Sequence, residues 1–151
     1  MTLSVADRLD LSDLVHRYAA AVDARRIDDV VDLFTGTAEL VMPDPPDVLE
    51  PHIRHDGPAG VRAAMASLTG VLRTQHAIVG EVYSETGDDS ATGSIAGIAH
   101  HWIENDGRIT DVIWYLRYAD RYRRTEQGWR FAARALCIDA MATQPVRRVR
   151  R

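Results

Sequence analysis

Cysteine is almost absent. Cys137 stands alone in 151 residues, so no internal disulfide can form and a reducing cytoplasm is the default compartment. Long apolar runs are missing too: none approaches the roughly 20 residues needed to cross a bilayer, which argues against a membrane partner. The opening stretch, Met1 to Asp7, has neither the basic nor the apolar region of a secretory signal. A positive balance is also lacking, since the net charge is −4, and this argues against nucleic acid. There is no internal repeat, Gly-rich phosphate loop, nucleophile elbow or reactive-cysteine signature. Cys137 itself reads as a small apolar core residue.

What remains is an ordinary globular composition, 46% apolar and 26% charged, at a length that suits one domain. That domain is expected over residues 1–144. Residues 145–151, with Arg147, Arg148, Arg150 and Arg151, read as a basic, solvated and disordered tail. Ser4 with Asp7 forms a carboxylate version of the capping box, and Leu11, Leu14, Val15, Tyr18 and Val22 recur at helical spacing. A second, short helix is predicted from Ile27 to Phe34 with Gly36 as its cap. A third starts at Gly57-Pro58 and buries Val61, Ala64, Met65, Leu68 and Leu72. Between them, Ala38 to Met42 reads as a strand, and the proline-rich Pro43 to Asp56 as a long loop or lid.

Past Gly70 the periodicity changes. Thr74 to Glu85, Ser90 to Ile103, Ile109 to Arg123 and Trp129 to Ala140 read as strands joined by hairpin signals. Helices followed by an antiparallel meander make an α+β fold. Strands this long must twist and curl, with Gly80, Gly93 and Gly97 as bending points, giving a cone-shaped curved sheet closed by three N-terminal helices.

Alternation places His76 with Ile78, Gly80 and Val82, so this histidine faces a core or a pocket. It is either a buried structural residue or a proton-transfer group, for which imidazole is suited near neutrality. Tyr18 enters the same interior from the first helix. Asp23 reaches it only if that helix ends there; otherwise it is an exposed charge. One of His100 and His101 must point inward, and parity leaves the choice open. Arg134 alternates with Leu136 and Ile138, as a charged edge residue or an anion clamp. His52, His55 and Asp56 match no established metal spacing, so no metal is expected.

Arg17-Tyr18 with Asp23 five residues on, Asp32-Leu33-Phe34, Thr74-Gln75-His76, Tyr118 to Arg124, Gly128-Trp129-Arg130-Phe131 and Arg134 together resemble the SnoaL-like branch of the nuclear transport factor 2-like superfamily. The resemblance runs over about residues 5 to 140. Within that branch it points to the scytalone dehydratase, bile acid 7α-dehydratase and hexachlorocyclohexane dehydrochlorinase groups. It implies a cofactor-independent lyase or isomerase acting on a small, mostly apolar, cyclic substrate. Polyketide cyclase or hydroxylase-like chemistry, or non-catalytic ligand binding, are the alternatives. The resemblance also implies an Asp23–His76 dyad, Tyr18 as acid or orienting hydroxyl, and His101 and Arg134 as substrate contacts. A homodimer through the sheet is implied as well, with Trp114 or Tyr118 on the convex face as contacts. The proline loop matches no known member.

Overall fold

The computed structural model describes residues 2–151. The first helix, α1, spans Val5–Asp23 and opens on a reciprocal cap. The Ser4 hydroxyl accepts the Asp7 N–H at 3.0 Å, and the Asp7 carboxylate accepts the Ser4 N–H at 3.2 Å. Two of the orphan groups at the helix start are thereby satisfied. Leu11, Leu14, Val15, Tyr18 and Val22 are buried along the expected stripe.

The end of α1 matters more. Arg26 N–H donates to Ala21 O at 2.9 Å and Arg25 N–H to Val22 O at 3.0 Å, while Arg25 takes a left-handed φ of 58°. This is the Schellman pattern, usually built on glycine because other residues pay a steric cost there. Two side-chain hydrogen bonds offset that cost: the Arg25 guanidinium donates to Val22 O and to Thr74 Oγ1, both at 2.8 Å. The helix therefore stops at Asp23, beside the strand that carries His76.

The second helix, α2, is Ile27–Asp32, shorter than predicted. Phe34 leaves it to begin strand β1, Phe34–Asp44, and Phe131 N–H donates to Leu33 O at 2.9 Å. Gly36 consequently lies inside β1 and caps nothing. The predicted lid is likewise corrected. Val48–Asp56 is strand β2, which pairs antiparallel with β1 from Glu39↔Asp56 to Asp44↔Val48. Proline is tolerated because β2 is an edge strand, and Pro51 falls where the register shifts. Helix α3, Gly57–Met65, follows with Pro58 in its first turn, and one 3-10 turn, Ala66–Leu68, completes it.

Strands β3 (Arg73–Gly87), β4 (Ser90–Asn105), β5 (Arg108–Thr125) and β6 (Gly128–Val146) form the antiparallel meander. The six-stranded order is β2-β1-β6-β5-β4-β3, with β1 parallel to β6. The boundary drawn at residue 144 falls inside β6. Register shifts at Ile78/Gly80, Tyr115/Leu116 and Arg121/Tyr122 bend the sheet without closing it into a barrel. The first of them corrects the simple alternation along β3: Ile78 stays on the face of His76, but Gly80 and Val82 turn to the opposite face. Among the described residues no helix is long and apolar enough to cross a membrane.

The concave face holds the core, including Leu40, Ile95, Tyr118, Tyr122 and Phe131, against α1. Trp114 and Tyr118, expected on the convex face, point inward instead, because they share the face of His101 through Ala99↔Trp114 and Ile95↔Tyr118. Deep in this core a charge pair is fully enclosed. Arg134 Nε and Nη2 donate to the two Asp120 oxygens at 2.8 and 3.0 Å, and both side chains have 0% exposure. Tyr122 donates to Asp120 at 2.7 Å, and the Arg134 guanidinium stacks 3.7 Å from the Tyr118 ring centre and 4.4 Å from that of Tyr18.

Gly93 makes that arrangement possible. A Cβ at this position would lie 2.4 Å from the Tyr122 hydroxyl and 2.8 Å from its ring. Gly93→Ala is expected to force the ring off Asp120 and to cost about 1–3 kcal/mol, read as a lowered urea midpoint with an unchanged slope. An unaltered midpoint would show that the ring has room to move.

Candidate functional site

Asp23 and His76 meet where the end of α1 faces the start of β3. His76 Nδ1 lies 2.6 Å from Asp23 Oδ1, and the His76 backbone N–H donates to Asp23 Oδ2 at 2.9 Å. Thr74, two residues earlier on the same face, donates its hydroxyl to Oδ1 at 2.9 Å. Burial acts to raise the Asp23 carboxyl, but the hydrogen bonds from the His76 ring, the His76 N–H and Thr74 outweigh it and leave it below its ordinary value. An ionised carboxylate only accepts, so in the neutral ring His76 Nδ1 carries the proton and Nε2 the lone pair.

That nitrogen belongs to a ring lining a cavity of about 470 Å³. Val22, Met65, Leu68, Val71, Ile103, Leu116 and Leu136 make most of its wall, with Tyr18, Tyr118, His76 and His101 as polar groups. Its volume suits a small organic ligand. The β1–β2 hairpin supplies Met42, Pro43, Asp44, Pro45, Ile53 and His55, so the proline-rich segment is a structured wall of the cavity.

The parity left open by the sequence is resolved. His101 faces the cavity and His100 the convex side, where it contacts the buried Asp111 at 2.7 Å. His101 Nδ1 lies 2.8 Å from Val112 O, so that nitrogen carries the proton and Nε2 remains an acceptor. Its ring stands edge-on to His76, with centres 6.1 Å apart. Burial lowers the His101 pKa; the bond to Val112 O opposes this and the neighbouring His76 adds to it. The cavity therefore presents two imidazoles that each hold a proton at Nδ1.

The sign of the resulting pH dependence follows. A histidine whose folded pKa lies below its unfolded value of about 6.5 gives its full stability above that value. The contribution is lost progressively as pH falls from 6.5 through the lower folded value. His101→Gln is expected to flatten the fall in stability as pH drops below about 6.5, measured by urea unfolding at several pH values. An unchanged slope would mean that His101 does not carry the effect.

Tyr18 lines the cavity as expected, with burial raising its phenol pKa and Arg134 partly opposing the rise. Arg134 does not line it. The sequence reading of a substrate clamp is corrected: its guanidinium is spent on Asp120 and lies beneath the rings of Tyr18 and Tyr118. Thr74 and Arg25 were missed. The i, i+2 spacing of Thr74 and His76 was a usable signal for the first, whereas no local pattern announces a left-handed arginine.

The profile of the SnoaL-like domain matches residues 3–135. No curated protein matches. Among solved structures, the chain superposes with a TM-score of 0.79 on a Novosphingobium aromaticivorans protein assigned as an aromatic ring hydroxylase. Identity there is 25%, over 95% of this chain and 96% of that one. A protein of the same organism assigned as a scytalone dehydratase gives 0.79 at 17% identity, over 95% and 91% of the two chains. A type 2 hexachlorocyclohexane dehydrochlorinase gives 0.77 at 16% identity, over 96% and 92%. The last two likenesses establish the fold.

Proposed function

Since the chain belongs to the SnoaL-like family, we propose that it is a cofactor-independent lyase in which Asp23 and His76 remove a proton from a neutral cyclic substrate. The observation that carries this reading is the 2.6 Å contact between Asp23 and a His76 whose ring lines a mostly apolar cavity. Dehydration of a cyclic β-hydroxy ketone fits the groups present. His76 Nε2 takes the proton from the carbon next to the carbonyl, and the C–H electrons form the new double bond. The β C–O bond breaks, and the hydroxide leaves as water with the proton that His76 took. Asp23 holds the ring in the required tautomer and stabilises the imidazolium.

Tyr18 keeps its proton, so it can donate to the carbonyl oxygen as charge develops there. His101 Nε2 accepts from the substrate hydroxyl and aims it. The apolar wall excludes water. The similarity to a protein assigned as an aromatic ring hydroxylase supports a second reading, in which the same dyad ionises a phenol or enol ahead of oxygen chemistry. A panel of cyclic β-hydroxy ketones and of phenols, followed by ultraviolet absorbance with and without oxygen, separates the two. Enone formation supports the lyase; phenol consumption only in the presence of oxygen supports the hydroxylase.

The convex face leaves Val79, Val82 and Tyr115 exposed, and a second copy packed there would bury them. Sedimentation of the wild type and of Tyr115→Arg tests this homodimer: a dimer dissociated by the substitution supports it, and a dilute wild-type monomer rejects it.

A further inference from the structure

Behind the dyad lies a second concavity. Arg73, Thr74, Gln75 and Trp102 form one side of a groove of about 430 Å³, and the segment carrying Arg148 and Arg150 forms the other. Asp23 lines this groove and His76 lines the cavity, so the dyad spans the partition between the two.

The groove is positively charged and internally unbalanced. Arg73, Arg148 and Arg150 have no ion-pair partner among the described residues, nor does Arg25, which donates to Thr74 at 2.8 Å. Elsewhere arginines find carboxylates, as Arg62 does with Asp28 and Arg117 with Asp139. Here the carboxylate that lines the site, Asp23, is already engaged by His76. All this occurs in a chain of net charge −4.

Guanidinium groups are forked donors matched to oxyanions, and Arg73 and the pair Arg148 and Arg150 bring three of them to one groove from two separate segments of the chain. An anion with oxygens in three dimensions can take donors from more than one segment, which a planar carboxylate does less well. Trp102 adds a flat apolar surface beside them. We propose that this groove binds a tetrahedral oxyanion, a phosphate or sulfate group.

Titrating the whole chain with inorganic phosphate at constant ionic strength tests this, using calorimetry together with the NMR signal of the Trp102 indole. The expected result is saturable one-site binding that perturbs Trp102 and persists in His76→Ala. The double variant Arg73→Gln/Arg148→Gln, checked for an unchanged melting curve, is expected to bind roughly tenfold or more weakly. A phenyl phosphate arm separates the sources: tighter binding than phosphate assigns a phosphate ester stacked on Trp102, and equal binding a free oxyanion. Signals that rise without saturation, or equal affinity in the double variant, overturn the site. Persistence in His76→Ala keeps this result independent of the dyad's chemistry.

Discussion

Replacing His76 by alanine is expected to slow turnover by roughly 10²- to 10⁴-fold, the range that a positioned general base supplies. Asp23→Asn is expected to fall in the same range for a different reason. The amide presents an N–H₂ where the carboxylate accepted, which favours the imidazole tautomer with its proton on the cavity side. At neutral pH His76→Ala should cost little stability, while Asp23→Asn gives up the stability that its lowered carboxyl pKa reports. His76 is 11% and Asp23 24% exposed at the side chain, and the surrounding wall is apolar packing that neither residue fills. The check is steady-state kinetics on an enone-forming substrate beside a urea unfolding curve. In His76→Ala, a loss of turnover with an intact midpoint separates chemistry from folding, and parallel losses of both would assign the pair a structural role.

The second large effect concerns stability. Arg134→Met and Asp120→Leu are each expected to cost about 3–5 kcal/mol, because either change leaves an uncompensated charge in a fully enclosed site. Replacing both at once removes the buried charge altogether. The double variant should therefore lose much less than the sum of the single losses, the remainder reflecting the Tyr122 hydroxyl deprived of its acceptor. A urea-unfolding double-mutant cycle reads the coupling directly. Additive losses would mean that the two charges do not compensate one another.

The parts of this architecture visible in the sequence were those written in local periodicity. Alternation around His76 turned it inward, the Ser4–Asp7 spacing marked the start of α1, and the hairpin signals gave the order of the last four strands. Features made by contacts distant in the chain were not visible. Arg134 was recognised as a charge on an apolar face, but its partner lies fourteen residues away on β5, so the charge read as available when it is consumed. The inward turn of Asp23 depends on a helix stop built on Arg25 and secured through Thr74, forty-nine residues later.

His100 and His101 illustrate the same limit from another side. Both registers carried enough apolar residues to be the buried one, and only the pairing of His100 with Ile113 and of His101 with Val112 on β5 decides between them. The β1–β2 hairpin was hidden by its prolines, which penalise a central strand and are acceptable on an edge. What an edge strand needs is a partner on one side, and β1 provides it.

The account rests on proton abstraction by His76, and hydrogen exchange in deuterium oxide measures that step without requiring the full reaction. Cyclic ketones that lack a leaving group are incubated with the protein, and loss of the proton next to the carbonyl is followed by NMR. Exchange catalysed by the wild type and reduced about 10²-fold or more in both His76→Ala and Asp23→Asn is the predicted result. Exchange at equal rates in all three proteins would contradict it.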